Sequence, residues 1–175
     1  MVTMLISKKI NDAINQQIGN EFGASLQYVA IAAHFDVEAL PQLAAHFYKQ
    51  AAEERDHAMR FVKFLVDADG QVVIPGVKPP KHKFVSAEEA VKLSLDWEIE
   101  VTDQIHKLVD LAKKEVNYTT DNFLQWFVKE QLEEVSSMDN LLKVIRRAGE
   151  DGLLRVEEYL ARKAGQKPSS EEVST

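Results

Sequence analysis

Glu54 and His57 stand three residues apart in the run Tyr48-Lys49-Gln50-Ala51-Ala52-Glu53-Glu54-Arg55-Asp56-His57-Ala58-Met59-Arg60. On a helix that spacing puts a carboxylate and an imidazole on one face, one turn apart. The pair falls within the seam Leu43, Phe47, Gln50, Glu54, His57, Phe61, Phe64, whose other members are mostly apolar. The face that carries it is therefore the one turned to a core. A carboxylate and an imidazole buried together either take up protons or hold a cation.

Three further stretches repeat the pattern at spacings of three and four. They read Ile14, Ile18, Glu21, Ser25, Tyr28, Ala32, Phe35, then Val91, Leu95, Glu98, Thr102, Ile105, Val109, then Leu124, Phe127, Gln131, Glu134, Met138, Leu141, Ile145. Each seam is apolar at its ends and polar in its middle. In a bundle of helices of equal length, midpoints meet at one height whatever the direction of each helix. Glu21, Glu54, His57, Glu98, Gln131 and Glu134 should then converge. Four carboxylates buried together without counter-charge cost several kcal/mol each. No Lys or Arg lies on the seams, and Arg55, next to Glu54, points about 100° away. Cations satisfy such a cluster. Glutamates with one imidazole suit ferrous iron or manganese, with zinc possible.

The elements that must position these groups are long helices. Ser7 is a suitable N-cap for a first helix running to about Phe35. Pro41 fits the first turn of a second, which runs to about Asp69 and stops at Gly70. Gly70 to Val85 contains Pro75, Gly76, Pro79 and Pro80 and cannot be one helix. Ser86 opens a third, with Glu89 at the capping-box position, running to about Val116. Asn117 to Thr120 reads as a turn, and a fourth helix continues to Ala148 before Gly149. Gly152 is a second break, and Leu153 to Lys163 forms a shorter amphipathic helix. The first-to-second and third-to-fourth links are short, so those pairs run antiparallel. The middle link of about 16 residues spans up to about 50 Å, enough to return along the bundle. The expected fold is all-α: a four-helix bundle with one long crossover and a short fifth C-terminal helix. One domain covers 1–164, and 165–175 is expected to be a mobile tail.

The whole chain sets the outer limits. Its 175 residues are 45% hydrophobic with a net charge of −7, which disfavours a nucleic-acid surface. There is no cysteine, so disulfides and thiolate metal sites are excluded, and a reducing cytoplasm fits. The stretch Met1 to Ile6 lacks a signal-peptide pattern, and no apolar run is long enough to span a bilayer. Other polar groups read as solvated. Asp103-x-x-His106 shares the spacing of Glu54 and His57 but flanks its seam. His34, His46 and the basic run Lys78, Lys81, His82, Lys83 read as surface.

The sequence resembles the ferritin family, in its prokaryotic non-haem branch, over about residues 5 to 163. The resemblance rests on Asn20-Glu21-Phe22 with Tyr28, on Glu53-Glu54-Arg55-Asp56-His57-Ala58, on Glu98, and on Phe123-Leu124-Gln125-Trp126 through Lys129-Glu130-Gln131-Leu132-Glu133-Glu134. It implies a ferritin-like fold, iron storage and a ferroxidase centre. One iron would be held by Glu21, Glu54 and His57. A second would share Glu54 as a bridge, with Glu98, Glu134 and Gln131. A third site would use Glu53, Glu130 and Glu133, sharing Glu134. Tyr28 is implied as an electron donor or hydrogen-bond partner, and Trp126 as a possible second donor beside a packing role. The resemblance also implies dioxygen or hydrogen peroxide as oxidant and a cytoplasmic shell of twenty-four copies. The fifth helix would line its four-fold axis, although Leu153, Leu154, Val156, Tyr159 and Leu160 could equally pack on their own bundle.

Two departures narrow the branch. Bacterioferritins and rubrerythrins carry a second Glu-x-x-His, where this chain has Gln131 and Glu134. Bacterioferritins bind haem through a Met after the bridging Glu, where this chain has Arg55, so no haem is expected. A rubrerythrin-like di-iron peroxidase and a metal-free helical scaffold remain the alternatives.

Overall fold

The computed structural model describes residues 5–165, and its helices are α1 (Lys8–Val37), α2 (Pro41–Asp67), α3 (Ala87–Lys114), α4 (Tyr118–Ala148) and α5 (Leu153–Gly165). A 3-10 turn, Glu150–Gly152, joins α4 to α5. The tail expected at 165–175 lies outside the described residues, except that Gly165 ends α5. Among the described residues no helix is long and apolar enough to cross a membrane.

Local chemistry sets the helix starts. Ser7 Oγ accepts from Ile10 N–H at 3.1 Å, and Ser86 Oγ accepts from Glu89 N–H at 3.1 Å. Glu89 does not complete the expected capping box. Its carboxylate takes the N–H of Val85 at 2.7 Å, one residue ahead of the N-cap, and also pairs with Lys81. Asn117 is the N-cap of α4, with Oδ1 accepting from Thr120 N–H at 2.9 Å, so the expected turn at 117–120 is already helix from Tyr118.

Glycine was expected to end the second helix at Gly70 and the fourth at Gly149, while the first and third were expected to end near Phe35 and Val116. The fourth does end at Gly149 (φ 68°), but the first three close on left-handed non-glycine residues, Ala39 (φ 57°), Asp69 (φ 56°) and Val116 (φ 55°). The next N–H in each case reaches back five residues: Leu40 to Phe35, Gly70 to Leu65, Asn117 to Ala112. These are Schellman closures. At α2 the left-handed residue is Asp69, one place before the expected Gly70.

The crossover runs along α1. Asn15 Nδ2 donates to Gln71 O at 2.7 Å and its Oδ1 accepts from Val73 N–H at 2.7 Å, while Asn11 brackets Gln71 from both sides. Gln27 does the same for Lys81, at 2.8 and 2.9 Å. Between these amides, Gly19 leaves room for Pro75: a Cβ there would lie 2.3 Å from the proline ring. Phe84 then packs on His34, 5.3 Å between ring centres. The link therefore travels the length of α1 and delivers α3 to the end where α2 began, so α2 and α3 run parallel. Backbone polar groups in an extended loop need partners when they approach a core, and the amide side chains of α1 supply them.

The core has two apolar halves. One contains Tyr28, Phe35, Leu43, Phe47, Val91, Met138 and Ile145, and the other Ile14, Ile18, Phe61, Leu65, Ile105, Leu124 and Phe127. All expected seam residues are buried except Phe64, Leu95 and Thr102, which are half-buried; Leu65 takes the deeper position beside Phe64. The fifth helix folds back on its own bundle. Val156 joins the first apolar half with Leu153 and Leu160 against it, while Leu154 and Tyr159 stay exposed.

Candidate metal centre

Between the two apolar halves lies a polar layer built by all four long helices. Glu21 comes from α1, Glu54 and His57 from α2, Glu98 from α3, and Gln131 and Glu134 from α4. Glu21 and Glu54 are 1% exposed, Glu98 not at all, and Glu134 7%. The midpoint argument thus places these six side chains correctly at one level.

Glu21, Glu54 and His57 each bring one ligand atom to within 4.8 Å of the others. Glu21 Oε2, Glu54 Oε1 and His57 Nδ1 are buried and have no hydrogen-bond partner. Leaving such atoms bare costs about 1–3 kcal/mol each. One cation contacted by all three would remove that cost, and the donor set, two hard oxygens with one imidazole nitrogen, suits a divalent ion such as ferrous iron.

The other carboxylates are partly engaged by protein donors. Tyr28 Oη donates to Glu98 Oε1, and Gln131 Nε2 donates to Glu98 Oε2 at 3.2 Å. Gln131 Nε2 also reaches Thr102 Oγ1 at 3.3 Å. Gln50 Nε2 donates to Glu134 Oε2 at 2.7 Å. Among the described residues, no close set of three includes Glu98. A second close set does exist, formed by His57, Glu130 and Glu134. Glu130 is half-buried there, while Glu53 is paired with Lys49 at 2.6 Å and Glu133 is exposed. The structure therefore draws Glu130 to His57 and Glu134, and leaves Glu53 and Glu133 outside that set.

Burial governs the protonation of the layer. It pushes Glu21 well above the usual carboxylate range, with the neighbouring Glu54 charge adding to it and Gln17 opposing it. Burial also raises Glu54 well above that range, with Glu98 adding. Glu98 rises for the same first reason, opposed by its bonds from Tyr28 and Gln131. Glu134 is raised to about 7 by burial and then by Glu98. Burial, followed by the Glu98 charge, holds the Tyr28 hydroxyl well above its ordinary value and so protonated.

Several contributors do not stand out in the sequence. Gln17 Nε2 donates to Glu21 Oε1 at 2.8 Å from one turn before it. Gln50 sits on its seam but reaches across to α4 rather than along α2. The only signal for either is an amide four residues ahead of a buried glutamate. Half-buried Trp126 lies edge to face with His57, 5.5 Å between ring centres, and the Arg60 guanidinium sits 3.9 Å over the indole. Arg55 is exposed and points away from the layer. Gln50 and Glu133 also line a groove of about 580 Å³ between α2, α4 and α5. Asp103, His106 and His82 are exposed, as expected, whereas His34 and His46 are half-buried.

Fold and layer together define a four-helix bundle with one long crossover and a buried carboxylate–imidazole centre. Comparison with known proteins makes the class specific. Residues 11–148 match the family described as Ferritin-like domain. The chain is similar to ferritin BfrB of Mycolicibacterium smegmatis, 45% identical over 94% of this chain and 92% of the relative. It is 34% identical to the bacterial non-heme ferritin of Staphylococcus epidermidis, over 84% of this chain and 89% of the relative. Among solved structures it resembles a novel open pore ferritin from the archaeon Archaeoglobus fulgidus, with a TM-score of 0.87, 34% identity, and coverage of 91% of this chain and 98% of that one. The chain belongs to the ferritin family.

Proposed function

We propose that this chain is an iron-storage protein with ferroxidase activity, depositing ferric mineral inside a shell of twenty-four copies in the cytoplasm. The observation that carries the reading is the meeting of Glu21, Glu54 and His57 at the middle of the bundle, each with a buried atom that has no hydrogen-bond partner. Similarity to proteins named ferritin supports iron as the metal.

On this reading ferrous iron is the substrate. Glu21, Glu54 and His57 hold one ion. Glu54 is shared with a second, to which Glu98 and Glu134 offer the lone pairs that their phenol and amide donors leave free, with Gln131 alongside. Glu130, with His57 and Glu134 close by and Glu53 and Glu133 further out, supplies a third position. Two ferrous ions lose one electron each. Dioxygen with two protons takes the pair and becomes hydrogen peroxide, or hydrogen peroxide with two protons becomes two waters. The carboxylates favour the ferric product, because hard anions hold the harder cation more strongly. Tyr28 remains a neutral donor to Glu98 through the step. Net charge −7 gives no reason to expect a nucleic-acid partner.

The test is aerobic addition of ferrous iron to the apo-protein, with sizing and iron counting. Rapid ferric absorbance and many irons held per shell support storage. One pair per chain and no mineral points to a peroxidase of the rubrerythrin kind. Oxidation no faster than in buffer overturns both iron readings and leaves a helical scaffold.

A further inference from the structure

On the α1–α3 side the centre continues into a chain of side-chain amides that the ligand set does not use. Gln17, 2% exposed, donates through Nε2 to Glu21 Oε1 at 2.8 Å. Its own oxygen accepts from Asn20 Nδ2 at 3.2 Å. The same Asn20 nitrogen donates to Gln104 Oε1 on α3 at 2.9 Å, and Gln104 Nε2 donates to Glu100 Oε1 at 3.3 Å. Asn20 Oδ1 in turn accepts from Gln16 Nε2 at 3.3 Å.

The donors in this chain have one sense. Asn20 spends both amide hydrogens outward, one toward Gln17 and one toward Gln104, and each glutamine passes a donor on to a carboxylate. Turning the Asn20 amide would set its oxygen against two amide oxygens. Turning the Gln17 amide would set its oxygen against the Glu21 carboxylate. An amide has two donors and one acceptor with no rotational symmetry between them, so each orientation is fixed by the next. The end effect falls on Glu21. One oxygen accepts from Gln17, while the other, Oε2, is buried without a hydrogen-bond partner, and Glu21 lies in the close set with Glu54 and His57.

We infer that Gln17, oriented by Asn20, is a positioning residue that ties down Glu21 Oε1 and so turns Oε2 toward the cation. The inference rests on the proposed metal centre. Groups that orient a ligand without touching the metal are worth about 10- to 100-fold in affinity when removed.

The experiment is cobaltous ion titration of the intact assembled protein, following its visible absorption, for wild type, Gln17→Leu and Asn20→Leu. Helicity and assembled mass are measured alongside. Gln17→Leu is expected to weaken the tightest cobalt site about 10- to 100-fold and to change its absorption band. Asn20→Leu, which touches no ligand, is expected to change the same band with a smaller loss, because Gln17 is then free to turn. Wild-type affinity and an unchanged band in both variants overturn the positioning role while the metal centre stands. If Gln17→Leu does not fold, Asn20→Leu decides alone by the same criterion. If wild type takes up no cobalt, the metal centre fails and this inference fails with it.

Discussion

Gln50 Nε2 on α2 donates to Glu134 Oε2 on α4 at 2.7 Å, across the middle of the bundle. The bond fixes one oxygen of a carboxyl that burial and the Glu98 charge hold up to about 7. It also marks where the centre approaches water, because Gln50 lines the groove between α2, α4 and α5. A donor to a charged carboxylate contributes about 1.5–3 kcal/mol. Replacing Gln50 with Leu removes the group that opposes the upward push on Glu134. Divalent metal uptake by Gln50→Leu should therefore fall about tenfold at pH 6, with a smaller loss at pH 9, where Glu134 is ionised in either protein. Titration at the two pH values checks this, and an equal loss at both would show that Gln50 acts through packing alone.

The pH dependence of the metal-free protein follows from the same carboxyl. Glu134 is protonated in the fold up to about pH 7, whereas in the unfolded chain it ionises near 4.5, its ordinary value. The folded state therefore binds more protons between those limits. Its contribution is fully present below the unfolded value and is lost as pH rises through about 7, by up to about 3 kcal/mol. Glu21, Glu54 and Glu98 are raised too and act with the same sign. Calorimetry on chelator-treated protein should show Tm falling from pH 5 to pH 8, with a shallower fall for Glu134→Gln. A saturating divalent metal should flatten the slope for wild type, because ionised ligands are then stabilised. A metal-free Tm that rises over this range contradicts the assignment.

Oxidation kinetics separate the roles within the layer. Glu54 belongs to the close set with Glu21 and His57 and also feels the charges of Glu98 and Glu134. As a bridge it would serve both irons, so Glu54→Ala should slow the first fast phase most, by about 100-fold or more. Wild-type behaviour of Glu54→Ala beside a slow Glu98→Ala removes the bridge assignment. Glu130 sits at the edge of the layer, half-buried. Glu130→Ala should leave the first phase within about threefold of wild type and alter later turnovers; equal loss of both phases argues against a separate third position.

The polar layer was legible because seam periodicity and equal helix length fix height without knowledge of topology. Glu21, Glu54, His57, Glu98, Gln131 and Glu134 are all buried, with Glu21, Glu54 and His57 close together, Glu134 close to His57, and Gln131 bonded to Glu98. The crossover was legible from Pro75, Pro79 and Pro80, but not the face of α1 that receives it. Asn11, Asn15, Gly19 and Gln27 recur at multiples of four beside the apolar seam, and nothing local says that amides there bind loop backbone rather than water. The grouping within the layer was hidden for a similar reason. Height along the bundle does not choose between Glu53 and His57 as neighbours of Glu130; side-chain direction does. Helix ends were blurred because Ala39, Asp69 and Val116 do the work that sequence reasoning gives to glycine.

Val116 offers a direct check on that last point. It holds φ 55° at the close of α3, and its residue surface is 63% exposed. A branched side chain in the left-handed region costs about 1–2 kcal/mol. Glycine removes that cost but loses about 0.5–1 kcal/mol through the greater freedom of the unfolded chain. Val116→Gly should gain about 0.5–1 kcal/mol in denaturant unfolding with the midpoint shifted up and the slope unchanged. A loss of stability would mean that the Val116 side chain contributes packing that its exposure does not suggest.

Glu157 ties α5 to the start of α2. Its two carboxylate oxygens accept from Gln42 N–H at 2.7 Å and Leu43 N–H at 2.9 Å. Leu40, the N-cap of α2, offers no side-chain bond, so Glu157 supplies from another helix the acceptor that an Asp or Ser would give locally. A negative group at a helix N-terminus gains from the helix dipole as well. Glu157→Gln keeps one acceptor but turns an NH2 group toward the second N–H. It should cost about 1–2 kcal/mol, and Glu157→Leu should cost more, since both N–H groups lose their acceptor. Because Val156 and Leu160 pack beside this clasp, the loss should loosen α5 before the bundle. Hydrogen exchange should therefore quicken at 153–165 and at the first turn of α2, while the amides around Glu54 and Glu98 keep their protection. Faster exchange spread evenly over all five helices would show that the clasp stabilises the fold as a whole and does not hold α5 in particular.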